Sequence, residues 1–414
     1  MKKLIFHIDV NSAYLSWEAA RLVKNGKPDI RLIPSAIGGD RQKRTGIILA
    51  KSIPAKRYGV TTGEPISMAL RKCPNLFLVK PDFALYERCS KEFINICKEY
   101  APVVEQFSID ECFLDMSGTE YIYEDPIKVA YEIKDKIRDT LGFTVNVGVS
   151  TNKLLAKMAS EFDKPDKVNT LFESEIKNKM WPLPIRELFS VGEATAMRLK
   201  KAYIETIGDL AKFDVNFIKS LVGEKLGEQI HNYANGIDNT PVLAEPEAVK
   251  GYSISTTLSE DITDIEDAYK VLLSLADSVS SRMRSDRGKA YCINVGIREN
   301  DFKNRSHQRK LTVSTDITDE IFAISKVLLD ELWDKQTPIR LIGISLTNIT
   351  KEGSDQEELF PDERKEKLRK VDKAVDLIRY KYGTNVIVKG STYNSSLEVG
   401  KKYKAQMENK REPK

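Results

Sequence analysis

The chemistry this chain can do is concentrated in three carboxylates. Asp9 ends the apolar run Leu4-Ile5-Phe6-His7-Ile8, which reads as a buried strand. Far along the chain, Asp110 and Glu111 stand in Ser108-Ile109-Asp110-Glu111. They lie between two strand-like runs, Val103-Val104-Glu105-Gln106-Phe107 and Cys112-Phe113-Leu114-Asp115-Met116. The pattern predicts a hairpin with the two acids at its tip. Carboxylates on strand ends suit hard cations, since Mg²⁺ prefers oxygen ligands and takes one or two protein carboxylates plus substrate phosphates. Two such ions about 3.5–4 Å apart can clamp the attacking and leaving oxygens of a phosphoryl transfer. Successive strand residues face opposite ways, so Asp110 and Glu111 reach one site only if the tip breaks the pleat. Taken alone, the pair reads equally well as surface acids at a turn.

The elements around these acids alternate. Residues 4–9 read as a strand, and residues 13–23 as a helix with Tyr14, Trp17 and Arg21 on one face. Residues 83–100 read as a long helix, with Phe83, Tyr86, Cys89, Phe93 and Cys97 at helical spacing. A helix at 126–140 and a strand at 144–149 follow. The expectation is an α+β core of two helices behind a small antiparallel sheet, interrupted by an insertion between about 13 and 80. Residues 172–241 look all-helical, punctuated by Pro182, Pro184 and Pro241. Within them, Leu188-Phe189-Ser190-Val191-Gly192-Glu193 leads into a helix at 194–201. This resembles a helix–hairpin–helix, whose free backbone N–H groups cradle a DNA phosphate without reading bases. An ordinary glycine-containing helix connection is the competing reading.

Residues 242–249 read as a linker. Beyond it come a strand at 252–259, a helix at 265–284 and a strand at 291–298 with a period of two. A strand at 310–315, a helix at 320–333 and a strand at 340–349 complete a split βαβ pattern. One sheet face is apolar and packs on helices. The other carries Asn, Ser, Thr, Lys and Arg residues, including Arg298, as a sheet laid along a nucleic-acid backbone would. In the charged tail 351–414, Leu368, Val371, Val375, Ile378 and Tyr382 recur at helical spacing, which predicts an amphipathic helix.

With 414 residues the chain is long enough for two to four domains. Its net charge is only +4, so any affinity for phosphate must come from local clusters such as 41–44, 51–57 and 282–289. The five cysteines form no CxxC pair, and the histidines are too scattered for zinc, which points to cytosolic thiols. No signal peptide or membrane-spanning run is evident. A cytoplasmic monomer without a membrane partner is expected.

Three segments in order carry a specific resemblance: His7-Ile8-Asp9-Val10-Asn11-Ser12-Ala13-Tyr14, Ser108-Ile109-Asp110-Glu111-Cys112-Phe113-Leu114-Asp115, and Val147-Gly148-Val149-Ser150-Thr151-Asn152-Lys153-Leu154-Leu155-Ala156-Lys157-Met158-Ala159-Ser160 with Lys164-Pro165 following. From residue 4 to about 350 the chain resembles the Y-family DNA polymerases of the bacterial polymerase IV type. The resemblance implies a multidomain α+β right hand. A split-βαβ palm would span 1–12 and 81–171, small fingers 13–80, a helical thumb with the helix–hairpin–helix 172–241, and a split-βαβ little finger 250–350. It implies a DNA-directed DNA polymerase that copies past damaged DNA with low fidelity and without a proofreading exonuclease.

By the same resemblance, Asp9 and Asp110 bridge two Mg²⁺ ions. Glu111 holds the ion at the primer 3′-hydroxyl, and the backbone carbonyl of Val10 completes the nucleotide-side ion. Tyr14 is the expected steric gate against a ribose 2′-hydroxyl. Lys164, with Ser52, Lys56 and Arg57 of the fingers, is expected on the incoming deoxynucleoside triphosphate. The fingers depart from the usual pattern, which has Tyr and Arg where Ile53 and Lys56 stand. Ile53 lacks the hydroxyl, and Lys56 keeps the charge but loses the bidentate fork. Gly192, Arg298 and the pair Lys153 and Lys157, which share a helix face, are expected on primer–template DNA. Gln356-Glu357-Glu358-Leu359-Phe360 resembles the pentapeptide by which bacterial polymerases bind the sliding clamp, with Gln356, Leu359 and Phe360 as its anchors.

Two other readings keep part of the pattern. A different two-metal phosphoryl enzyme, such as a nucleotide cyclase, would not need the helix–hairpin–helix or the second split-βαβ domain. A catalytically silent DNA- and clamp-binding module would have no need to cluster three repelling acids.

Overall fold

A computed structural model describes residues 3–39, 46–245, 248–351, 363–383 and 386–390. They form two compact units, one built from residues 3–39 and 47–245, the other from the described residues after 247.

The first unit opens with β1 (Ile5–Val10), α1 (Ala13–Lys24), β2 (Ser35–Gly38), β3 (Ile48–Lys51), α2 (Ile53–Arg57), α3 (Ile66–Lys72) and β4 (Phe77–Val79). Next come α4 (Phe83–Lys98), β5 (Val103–Gln106), β6 (Glu111–Asp115), α5 (Pro126–Leu141), β7 (Val145–Ser150), α6 (Lys153–Ser160) and β8 (Val168–Thr170). Its larger sheet has the order β5-β6-β1-β7-β8, with β1 central and antiparallel to both neighbours. Only β8 runs parallel to its partner, an addition to the antiparallel sheet expected. The insertion folds as a small sheet of its own, ordered β3-β2-β4, over the apolar cluster of Ile48, Ala55, Val60 and Ile66.

Strand alternation sorts the two faces of the large sheet. Phe6, Ile8, Val10, Cys112, Leu114, Val145, Val147 and Val149 face the core shared with α1, α4 and α5. The opposite face carries His7 and Asp9 on β1, Glu111 and Phe113 on β6 and Asn146 on β7. Helix α6 lies on that second face, a layer the sequence did not announce. It can do so because Gly148 has no side chain, since a Cβ there would collide with the Ala156 carbonyl oxygen and the Ser160 amide. The apolar side of α6 (Leu154, Leu155, Met158) continues into the core of the following helices. These are α7 (Glu193–Lys201), α8 (Ile207–Lys212), α9 (Val215–Val222) and α10 (Glu224–Ala234).

The second unit contains β9 (Gly251–Ile262), α11 (Ile265–Ser285), β10 (Gly288–Glu299), β11 (Asn304–Thr315), α12 (Thr318–Leu332), β12 (Ile339–Lys351) and α13 (Glu363–Tyr382). Its sheet is ordered β11-β10-β12-β9, all antiparallel. Strand β11 begins at Asn304, well before the residue 310 expected. The run Asn304-Arg305-Ser306-His307-Gln308-Arg309 has no apolar alternation to read, because this is an edge strand exposed along most of its length.

The amphipathic pattern of α13 predicted the helix but not the way it docks. Val371 and Tyr382 of the apolar stripe stay exposed. The helix is held instead by charge: Asp372 and Asp376 take the nearly buried Arg284, Arg369 pairs with Asp316, and Arg379 with Asp277. Asp372 also accepts from the Thr318 amide at 2.8 Å, which caps α12. All five cysteines are free. Among the described residues no helix is long and apolar enough to cross a membrane.

Replacing Gly148 with Ala forces α6 off the sheet, and overpacking of this kind costs about 1–3 kcal/mol. The urea midpoint of Gly148→Ala should fall accordingly, and an unchanged midpoint would contradict the close approach.

Candidate active site

The strand register brings two of the acids together. Asp9 stands directly opposite Glu111 on one side and Asn146 on the other. Opposed residues in an antiparallel pair point to the same face, so both carboxylates share the face that carries His7. The turn before β6 supplies the break in the pleat. The Phe107 and Ser108 amides both donate to the Glu111 carbonyl, and the Val10 amide donates to the Asp110 carbonyl at 2.9 Å. Ser108 Oγ donates to Asp110 Oδ1 at 2.5 Å. Asp110 therefore lies in the turn. Glu111 is not part of the tip, as its sequence position suggested, because pairing with Asp9 draws it into the ladder.

The electrostatics separate the acids. Burial pushes the Asp9 carboxyl up to about 6, although Lys164 pulls it down, and Glu161 and Asp110 add to the rise. Lys164 Nζ lies 2.6 Å from Asp9 Oδ2 and 2.9 Å from Glu161 Oε1. Burial also pushes Glu111 up, but hydrogen bonds from His7 and Lys157 outweigh it and hold that carboxyl at about 2. His7 is wholly buried and driven down to about 4 by burial. Its Nε2 lies 3.0 Å from Glu111 Oε2 and its Nδ1 2.7 Å from Ser160 Oγ. Lys157 donates to Glu111 and lies over the rings of Phe107 and Phe189. Each of the two paired acids thus has a lysine ammonium against it.

Tyr14 is half-buried and stacks on Tyr86, with centroids 4.6 Å apart and planes 13° from parallel. Burial and the charge of Asp110 both raise its phenol. Tyr86 is anchored by donating to the buried Glu18 at 3.2 Å.

The remaining expected residues fall into three groups. Lys56 and Arg57 are exposed in the last turn of α2. Ser52 is not available to a nucleotide, because it is buried with its hydroxyl spent. It donates to the Ile33 carbonyl and accepts from the Ser35 and Ala55 amides, so its role is to cap α2. Lys153 is held by Glu105 at 2.7 Å and lies over Phe113. Gly192 is the exposed N-cap of α7, with open space where a Cβ would stand. In the second unit Arg298 lies on the open sheet face, bonded to Asn304 at 2.9 Å. That face forms a shallow trough of about 420 Å³ lined by small residues, among them Ser255, Gly296, Ser306 and Gly343. Gln356, Leu359 and Phe360 lie outside the described residues, as does the basic cluster 41–44.

Sequence reasoning missed His7, and it expected Lys157 on DNA where the structure sets it against Glu111. The period of two was a usable signal for His7, which sits two residues before Asp9 and so shares its face. Nothing local in the sequence pairs Lys157 with Glu111, since the α6 packing creates that contact.

The chain matches the family model described as the impB/mucB/samB family over residues 8–161, and the C-terminal domain of that family over 249–359. A model described as the thumb domain of DNA polymerase-iota matches residues 186–238. A DNA polymerase IV of Clostridium acetobutylicum is 45% identical over 390 residues, 94% of this chain and 98% of that one. One from Clostridium kluyveri is 37% identical, covering 96% of this chain and all of its own length, 100%. Among solved structures, a Y-family DNA polymerase chimera of Dbh and Dpo4 aligns with a TM-score of 0.72 at 25% identity, over 84% of this chain and 100% of that one. DinB from Sulfolobus solfataricus aligns over the same shares, 84% and 100%, with a TM-score of 0.55 at 25% identity.

Glu111 offers a test that needs no ligand. A carboxyl held below its ordinary value lends stability that is complete above about 4.5 and is lost as pH falls toward about 2. The protein should therefore be more stable than Glu111→Gln near neutral pH, by a gap in urea midpoint that narrows as pH drops below 4.5. A gap independent of pH would contradict a charged, hydrogen-bonded Glu111.

Proposed function

The chain belongs to the impB/mucB/samB family of Y-family DNA polymerases, and from this we propose that it extends a primer across damaged DNA by two-metal nucleotidyl transfer. DNA-directed DNA polymerase activity comes with the family. The finer reading rests on one observation: Asp9 and Glu111 are opposed on adjoining strands and share one face of the sheet, with Asp110 in the turn beside them.

The donor set fits hard divalent cations in kind and charge. Its groups are carboxylate oxygens and the Val10 carbonyl, and the charges of Asp110 and Asp9 are close enough to be felt in the acidity of Asp9. Two ammonium groups now supply the positive charge these acids need. Among the described residues no three acid, histidine or cysteine side chains are grouped closely enough to hold a metal ion by themselves, so the ions would take part of their ligand set from substrate phosphates. Asp9, Asp110 and the Val10 carbonyl would hold the nucleotide-side Mg²⁺, and Asp9, Asp110 and Glu111 the ion at the primer end. The bound ions supply the charge that makes a primer hydroxyl a usable nucleophile and neutralises the triphosphate.

The chain's own groups do the rest. Lys164, a compact point charge, is within reach to leave Asp9 for a phosphate oxygen, and Lys56 and Arg57 add charge from the fingers. His7 holds Glu111 in place. The Tyr14 ring, backed by Tyr86, blocks the space a 2′-hydroxyl would need. We place the palm at 1–12 and 81–171, the fingers at 13–80, the thumb at 172–241 and the little finger at 250–350. The N-cap at Gly192 and the small-residue trough beside Arg298 suit close approach by a DNA backbone. Gln356, Leu359 and Phe360 supply the chemistry for a sliding clamp, two apolar side chains worth about 1.5–3 kcal/mol each on burial.

Primer extension on undamaged and lesion-bearing templates with Mg²⁺ tests this reading. The parent should give product on both, and Asp110→Ala/Glu111→Ala on neither. Product from the double variant, or none from the parent, would overturn it. Tyr14→Ala should admit ribonucleotides at least about tenfold more readily relative to deoxynucleotides, the scale of a lost steric exclusion of roughly 1.4 kcal/mol or more. Equal discrimination in single-nucleotide extension would refute the gate.

A further inference from the structure

The loop between α6 and β8 carries Lys164, and two buried asparagines tie it to the strands that hold the acids. Asn146, wholly buried on β7, spends its amide completely. Its Nδ2 donates to the Ser160 carbonyl at 3.0 Å and the Phe162 carbonyl at 3.1 Å. Its Oδ1 accepts from the Lys167 amide at 3.3 Å and from Asn11 Nδ2 at 3.2 Å. Asn11 Oδ1 accepts in turn from the Asp166 amide and from Thr144 Oγ1, both at 3.0 Å. The loop is thus pinned on both sides of Lys164. Asn169 adds a bond to the Phe162 carbonyl at 2.6 Å, and the nearly buried Lys134 takes Asp166 at 3.0 Å.

Two features make this more than ordinary loop anchoring. Asp163 and Asp166, which bracket Lys164 and Pro165, both adopt left-handed backbone, with φ of 43° and 58°. Such a conformation persists only where the surroundings over-determine it. The anchors also flank Asp9: Asn146 is its ladder partner, and Asn11 lies two residues on. One network therefore sets where the Lys164 ammonium stands relative to that carboxylate. A fully satisfied buried network holds a single geometry.

We infer that Asn146, with Asn11, is a positioning residue for the incoming deoxynucleoside triphosphate, acting through the loop that carries Lys164. The inference rests on the triphosphate role proposed for Lys164. Neither asparagine touches the nucleotide. Loosening them lets the ammonium wander and weakens nucleotide binding, while the acids on the strands stay in place.

Single-nucleotide incorporation by the full chain separates this from a merely structural role. Lys164→Ala should raise the KM for the deoxynucleotide about tenfold. Asn146→Ala should raise it about fivefold, with kcat within about twofold of the parent. In the Lys164→Ala background, Asn146→Ala should add nothing further to KM, because residues acting through one group are not additive. Asn169→Ala removes one bond from a half-buried position and carries the same cycle if Asn146→Ala does not fold, with KM raised about twofold. A KM increase of equal size in the Lys164→Ala background would overturn the inference. So would a loss of kcat at unchanged KM. A Lys164→Ala enzyme with an unchanged KM would instead refute the triphosphate role of Lys164, and the inference with it.

Discussion

The constraint on which everything else depends is the alternation of side chains along β1. Phe6, Ile8 and Val10 build the main core. Between them, His7 and Asp9 build the site on the opposite face. One strand therefore secures both, and a register slip of a single residue would bury the acid and expose the core. The central place of β1, bonded on both edges, removes that freedom. The same ladder sets Glu111 opposite Asp9 without any contribution from a loop, which is how a site that must hold sub-ångström geometry is best supported.

Paired carboxylates on a partly buried sheet face repel one another, and burial alone would neutralise them. The fold answers with positive charge from α6 and the loop after it. Lys157 lies on Glu111 and Lys164 on Asp9, and the two acids respond differently, one held low and the other raised. Gly148 makes this possible, because only a residue without a side chain lets α6 come close enough to deliver Lys157. Packing and electrostatics are therefore one problem here. The glycine permits the helix, and the helix carries the charge that stabilises the acids.

Much of this was legible in the sequence, and the failures have physical causes. The apolar strands and the long helices declared themselves by period, from β1 to α12. The polar edge strand β11 did not, since exposure removes the signal that periodicity reads. Ser52 looked like a ligand for phosphate by position, yet capping α2 consumes its hydroxyl. The α13 pattern revealed a helix, but its docking through Arg284, Asp372 and Asp376 depends on partners far apart in sequence. The pairing of Asp9 with Glu111 was legible in part, because one acid ended an apolar strand and the other stood beside the next strand-like run. Their lysine partners, and the asparagines beneath the Lys164 loop, follow from tertiary contacts that no local pattern encodes.

Asp9, Asp110 and Glu111 should converge on a shared pair of cations. Crystals of the chain with a dideoxy-terminated primer–template, a deoxynucleoside triphosphate and Mn²⁺ would show the ions directly by anomalous scattering. Two peaks about 3.5–4 Å apart, both touching Asp9 and Asp110 and one touching Glu111, are the result expected. A single ion, or ions seated on other acids with Lys164 still on Asp9, would contradict it.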